Sequence, residues 1–339
     1  VFANINEYVL ALLLCKQTKN CSSMAHELNQ TPYNLYKHQK TLSENEMRDK
    51  LINLIKIFST PENKGYLVLD DTLMQKPHMS KSVNLTYGRD GATKRCEKGF
   101  VLVTLSWTNG IITLNFTFEY WLREKDTKEK HRKKTDIALD LILAYKNIIP
   151  FKSVLLDGGY NSGKILKTLD ENNIPFIARF HRNRKIIVND KKKIINDVPA
   201  LKIVKNQRNK KVNAFYKGNS YSFVVHKKIS KKGKKEIIYL VTNINDSAKN
   251  IVITYKIRWG IEKCYRRYKG KIGFNECQSV NSTKQTRHIY AVFLADTISN
   301  LAVIYKYNKN PDEYINKLRD LKINTQDLKN ALQSGIYYA

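Results

Sequence analysis

Two adjacent carboxylates, Asp70 and Asp71, close the apolar run Tyr66-Leu-Val-Leu-Asp-Asp, and a third, Asp157, closes a second run, Ser153-Val-Leu-Leu-Asp. Such runs read as short buried strands, and an acid ending one needs a partner, because an isolated charge beside a core is costly or shifts its pKa. In a mixed sheet of this element order the two strands would lie side by side. Their terminal acids would then form a set of hard oxygen donors suited to Mg2+ or Mn2+ rather than zinc. Asp is also common where strands turn, so the pair alone is compatible with plain turn chemistry.

A further acid stands among bases. Tyr255, Arg258, Glu262 and Lys269 are spaced three, four and seven apart. At about 100° per residue they fall within an arc of roughly 60° on one face of a helix expected over 247–269. Arg266 flanks them, and Ile257, Ile261, Cys264 and Tyr268 form a separate apolar stripe that would seat the helix on a sheet. A solvated charged face is the usual outcome of such a pattern. An acid ringed by basic and aromatic residues also suits a carboxylate-held metal meeting a phosphodiester.

The elements that would position these groups follow from the periodicity. Residues 5–57 carry apolar positions at three- and four-residue spacing and read as helices. Within them, 21–40 has the outline of a helix-turn-helix: a cap at Ser22, an apolar helix through Met24, Ala25 and Leu28, a polar turn at 29–31, then Tyr33 to Gln39. The second helix would present Asn34, Tyr36, Lys37, His38 and Lys40 to phosphates and base edges. The strands 66–71, 100–107 and 111–120 follow, the last two flanking the turn Thr108-Asn109-Gly110. Then come a helix at 135–148, the strand ending at Asp157, a helix at 162–172 and the strand 175–179. This order is that of an α/β fold. Lys-rich turns and short β-prone runs over 184–246 read as a β-rich insertion, and helices resume over 247–269 and 283–305.

The chain has 339 residues, enough for several structural units. Sixty Lys and Arg against thirty Asp and Glu leave a net charge of +30, which favours a polyanionic partner, nucleic acid first. Its five cysteines form no CxxC pair, which indicates neither a zinc knuckle nor a disulfide framework and fits a reducing cytoplasm. The longest apolar run, 8–15, is too short to span a membrane and lacks a basic leader, so neither a membrane segment nor a signal peptide is expected.

Asp70-Asp71-Thr72 with Lys76-Pro77, Asp157-Gly-Gly-Tyr160, and Tyr255-x2-Arg258-x3-Glu262-x6-Lys269 resemble the DDE transposases of bacterial insertion sequences. The subgroup is the insertion-sequence-4-like one defined by the Y-R-E-K signature, which is matched at every spacing; the resemblance covers about residues 20–305. It implies a ribonuclease-H-like (retroviral-integrase-like) core with a β-rich insertion and an N-terminal helical DNA-binding region. Asp71, Asp157 and Glu262 would bind two divalent ions, Mg2+ or Mn2+; Asp71 is chosen over Asp70 because the family's catalytic Asp directly precedes Thr. Tyr255, Arg258 and Lys269 would contact phosphates near the transposon end, with Arg266 beside them. In some relatives a Trp of the insertion stacks on a flipped base during hairpin formation. Here Trp107, Trp121 and Trp259 all lie outside 184–246, leaving Phe215, Tyr216, Tyr221 and Phe223 as candidate substitutes.

The expected organisation is 1–60, helical and DNA-binding; 61–183, first part of the core; 184–246, insertion; 247–306, second part of the core; and 307–339, a helical tail. The implied activity is cut-and-paste transposition: metal-dependent cleavage and strand transfer on double-stranded DNA, acting on terminal inverted repeats and target. The protein would be cytoplasmic and nucleoid-associated, and would work as a homodimer on DNA with the helices after 306 as interface. Two other readings compete. A decayed or domesticated copy would bind DNA without cutting it. A tyrosine recombinase is suggested only by His181-Arg182-Asn183-Arg184, whose setting after a strand and before a Lys-rich loop does not suit that chemistry.

Overall fold

The computed structural model describes residues 6–91, 93–127, 131–204, 207–229, 233, 235–304 and 310–334. Side chains cap the opening helices. Asn6 starts α1 (Glu7–Leu14), Asn20 rather than Ser22 starts α2 (Cys21–Glu27), Thr31 starts α3 (Pro32–Thr41) and Ser43 starts α4 (Glu44–Phe58). Each cap oxygen accepts from a first-turn amide. α1 is buried from Tyr8 to Leu14, as its unbroken apolar sequence requires.

β1 (Tyr66–Gln75) runs past the two acids instead of ending at them, because Leu73 and Met74 are also buried. β2 (Thr86–Arg89) was not legible, since Thr-Tyr-Gly-Arg is too short and too polar to signal a strand. β3 (Cys96–Thr108) and β4 (Thr113–Trp121) form the expected hairpin. Its loop is closed by Asn109 Oδ1, which accepts from the amides of Ile111 and Ile112, and by Gly110 at φ 92°. Then follow α5 (Lys134–Tyr145), β5 (Val154–Leu156), α6 (Gly163–Glu171) and β6 (Phe176–Phe180). The insertion is β-rich: β7 (Lys185–Val188), β8 (Lys191–Ile194), β9 (Asn209–Tyr216), β10 (Asn219–Ile229) and β11 (Lys235–Thr242).

The helix expected over 247–269 is not continuous. α7 (Ala248–Lys256) stops, Ile257 and Arg258 form a turn, α8 (Trp259–Arg267) follows, and a π-helical turn covers Tyr268–Ile272. Arg258 therefore sits in a break and Lys269 in the π turn, so the four signature residues do not share one helical face. α9 (Ser282–Ile304), α10 (Pro311–Asp320) and α11 (Thr325–Ser334) complete the chain; Tyr305, expected to end the long helix, lies outside the described residues.

Two compact units result. One comprises Val1–Asn63, Asp71–Arg132 and Gly260–Ala339; the other comprises Lys64–Asp70 and Lys133–Trp259. The first thus joins the N-terminal helices to the C-terminal ones, which a division by chain order does not anticipate. In it β2, β3 and β4 pair antiparallel, β1 enters beside β3, and α4 and α9 cover β4 while α1 packs on α9, α10 and α11. Gly99 is required where β3 meets β1, since a Cβ there would lie 2.2 Å from the Met74 carbonyl oxygen.

In the second unit β1, β5 and β6 are parallel, β11 runs antiparallel to β6, and β10, β9, β7 and β8 extend the order. α7 lies against β6, β9 and β10. The chain is mixed α/β with a mixed sheet, consistent with a ribonuclease-H-like nuclease fold.

Candidate active site

In the second unit the parallel register places Leu67, Val68 and Leu69 opposite Val154, Leu155 and Leu156, so the residues next in line are Asp70 and Asp157. A single guanidinium serves both. Arg258 Nη1 donates to Asp70 Oδ2 at 3.2 Å, and its Nη2 lies 3.9 Å from Asp157 Oδ1. The Arg258 and Asp70 side chains are 10% and 17% exposed and Asp157 39%, so the shared charge is held in a partly desolvated place, where such pairs are stronger than on an open surface. The Tyr255 ring lies under the guanidinium, 5.8 Å from its carbon, and the Tyr255 hydroxyl donates to the Leu156 carbonyl at 3.3 Å. Burial pushes the Tyr255 phenol above its ordinary range, outweighing the lowering effect of Arg258.

The backbone after Asp157 is fixed too. Gly158 to Tyr160 make one 3-10 turn, and the Gly158 carbonyl accepts from His181 Nε2 at 2.9 Å. Arg184 donates to the Asn161 carbonyl at 2.5 Å and to the Tyr216 hydroxyl at 2.9 Å. His181 and Arg184, which happened to fit a recombinase pattern, thus bond to the turn that follows Asp157.

The first unit holds Asp71, Glu262, Arg266 and Lys269. Glu262 is half-buried in the first turn of α8, where the helix dipole favours an anion. α8 is fastened along its length. Gly260 allows it to touch β4, since a Cβ there would come within 2.2 Å of Thr113 Oγ1; Cys264 Sγ reaches the Thr113 carbonyl at 3.5 Å; and the Tyr265 hydroxyl bonds Thr104 on β3. At its end Arg267 makes a two-pronged ion pair with Asp296 of α9, both buried, and Asn300 donates to the same carboxylate at 2.9 Å. Burial alone would lower the Arg267 pKa, but the Asp296 carboxylate lifts it above the ordinary value.

Lys269 Nζ lies 3.1 Å from Asp90 Oδ2, and the Asp90 side chain is only 3% exposed. Sequence reading missed this partner because it follows the unrecognised β2. Arg266 is exposed. Lys76 is buried at the end of β1 and donates to the carbonyls of Asn275 at 2.8 Å and Cys277 at 2.5 Å; burial pushes its pKa down to about 8.

Arg258 links Asp157 to Asp70; Asp71, chosen from its place before Thr, falls with Glu262 in the other unit. Among the described residues no group of three His, Cys, Asp or Glu side chains is gathered to hold a metal ion. The donor type nonetheless fits one: Asp70 and Asp157 offer carboxylate oxygens from neighbouring strands, the hard donors that a divalent ion of the Mg2+ class takes. Of the four insertion aromatics, Tyr216, Tyr221 and Phe223 are buried, whereas Phe215 is 52% exposed. No described helix is long and apolar enough to cross a membrane.

No curated protein matches the chain. A family model described as DDE superfamily endonuclease matches residues 2–199, more than half of the sequence, including Asp70, Asp71 and Asp157 but not the segment from Tyr255 to Lys269. The strand-borne carboxylates and the mixed sheet that carries them agree with that match: the chain belongs to the DDE superfamily of endonucleases.

Proposed function

We propose that the protein is a DNA transposase of a bacterial insertion sequence, of the subgroup with the Y-R-E-K signature, which cuts and rejoins DNA at the element's ends. The observation that carries this reading is the Arg258 guanidinium held between Asp70 and Asp157 on the neighbouring strands β1 and β5. Asp70 takes the place of Asp71 as the first acid, Asp157 is the second, and Glu262, by the resemblance, is the third. Divalent ions held by these carboxylates, two of Mg2+ or Mn2+, would activate the attacking oxygen and stabilise the leaving one in an in-line displacement at phosphorus.

The chain's own groups do the rest. Arg258, with its planar fork of donors, orients a phosphate beside the acids, while Tyr255 stiffens that arginine from below. Lys269, with Arg266 near it in sequence, supplies positive charge to the DNA strand, and Asp90 fixes the position of the Lys269 ammonium. No protein nucleophile is needed, because water or a DNA 3′-OH attacks. Phe215 is the insertion aromatic with a free π face for a base. Two ends are handled by a homodimer assembled on DNA.

The test is cleavage of duplex DNA carrying the element's ends by wild type, Asp70→Asn, Asp71→Asn and Asp157→Asn with Mg2+. The reading expects cutting to vanish in the Asp70 and Asp157 variants and to survive in Asp71→Asn. Cutting that survives Asp157→Asn refutes it.

A further inference from the structure

His181 and Arg184 stand at the two ends of a tight turn. β6 ends at Phe180, the Arg184 amide donates to the His181 carbonyl at 3.1 Å, and β7 starts at Lys185. The first and fourth residues of such a turn lie close together. Both side chains reach one target, the 3-10 turn Gly158–Tyr160 and Asn161 just after it. That target follows Asp157 directly, and the Tyr160 amide donates to the Asp157 carbonyl at 3.0 Å.

His181 is exposed, yet its Nε2–H is committed to the Gly158 carbonyl at 2.9 Å. Gly158 permits the close approach, because a Cβ there would stand 3.2 Å from His181 Cε1. Arg184 is half-buried and donates from Nη1 to the Asn161 carbonyl at 2.5 Å and to the Tyr216 hydroxyl at 2.9 Å. Its guanidinium carbon lies 5.5 Å from the centre of the Phe180 ring and 5.9 Å from that of Tyr216, and the two rings meet edge to face at 5.0 Å. β6 and β9 thus hold the guanidinium together. Asn161 is fully buried, and its side-chain amide donates to the Arg179 carbonyl of β6.

These ties fall where the backbone would otherwise be loosest. Two consecutive glycines follow Asp157, and glycine has the most conformational freedom to lose on ordering. On its other side Asp157 is anchored by β5, which pairs with β1 and β6. We infer that His181 and Arg184 are positioning residues for Asp157: the turn that opens the insertion, backed by Tyr216, holds the Gly-Gly segment so that the carboxylate keeps the orientation in which it takes a divalent ion. Contacts that orient a metal's ligands from behind commonly contribute about 10–100-fold to metal affinity. The inference deepens the proposed function and rests on Asp157 being a metal-holding acid.

The experiment titrates the full chain with Mn2+ in the absence of DNA and reads free Mn2+ by its electron paramagnetic resonance signal. Leaving DNA out separates positioning from phosphate contact, since a side chain that only met DNA would not alter Mn2+ binding. Asp157→Asn should remove the site. His181→Phe and Arg184→Leu should each weaken it by about tenfold, and Arg184→Lys, which keeps one donor, should recover part of the loss. Phe176→Leu, in the core at the far end of β6, should lower the melting temperature and leave the affinity unchanged. Because His181 is exposed, its variant tests the tie without opening the core. Wild-type affinity in both His181→Phe and Arg184→Leu would overturn the inference, as would an equal loss in Phe176→Leu. A site that survives Asp157→Asn would instead refute the metal-holding role of that acid, and the inference with it.

Discussion

One step of register separates Asp70, level with Asp157 by the pairing of β1 with β5, from Asp71. Asp70 and Asp71 are adjacent in the sequence; by the resemblance Thr72 favours Asp71, whereas the contact to Arg258 favours Asp70. The pairing of Leu69 with Leu156 puts Asp70 level with Asp157, and Arg258 confirms that closeness with a contact to each. Replacing Asp70 should therefore cost cleavage about 10^3-fold, the scale of several kcal/mol of lost charge stabilisation, and replacing Asp71 far less. Single-turnover rates on end DNA check this. A second residue governs acid stability. His288 is fully buried; its Nε2–H donates to the Gly273 carbonyl and its Nδ1 accepts from the Tyr8 hydroxyl, and burial pushes its pKa down to about 3. The folded chain thus binds fewer protons than the unfolded one between about pH 3 and 6.5, so stability present above 6.5 is lost as pH falls. From this group the loss between pH 6.5 and 5 should be about 2 kcal/mol. Urea unfolding of wild type and His288→Gln at pH 7 and 5 measures it, and the variant should lose less.

At the scale of elements, α8 is the piece that carries Glu262, the proposed third acid. Of the contacts that fasten it, those of Gly260 and Arg267 each give a prediction. Gly260→Ala puts a methyl against Thr113 Oγ1 and should destabilise the fold by about 1–3 kcal/mol, recovered in part by adding Thr113→Ala. Arg267→Ala strands the buried Asp296 carboxylate and should cost about 3–5 kcal/mol, while a double change to Arg267→Met with Asp296→Leu should cost less than the single one. Denaturant midpoints report both. These elements also show what could be read beforehand. The acid-bearing strands were legible because Leu-Val-Leu and Val-Leu-Leu can only be buried, and the β3–β4 hairpin because Asn109-Gly110 demands a turn. The break at Ile257 and Arg258 was hidden, since apolar positions keep their helical spacing through it; Gly260 was the local clue. Asp90 was hidden for the opposite reason, as β2 is too short to carry a period.

Across the whole molecule, charge and connectivity point the same way. The insertion, 184–246, carries 17 Lys and Arg against four Asp and Glu, a net +13 of the +30. Composition announced a polyanionic partner before any fold was known, but it could not show that residues from both ends of the chain share one compact unit. That grouping depends on α1 packing against α9, α10 and α11, contacts between segments almost three hundred residues apart that leave no local trace. Dimer formation belongs to this scale as well. Light scattering on the protein with end DNA should give two chains per complex, and a single chain on paired ends would contradict the proposed assembly.

The most direct test compares wild type with Glu262→Gln on DNA carrying the element's ends, with Mg2+ and with EDTA. Metal-dependent cutting at the ends that disappears in Glu262→Gln, with end binding retained, is the result expected of a transposase using these carboxylates. Wild-type protein that binds the ends and never cuts them, under conditions in which an active relative does, would contradict it and leave a DNA-binding protein without catalysis.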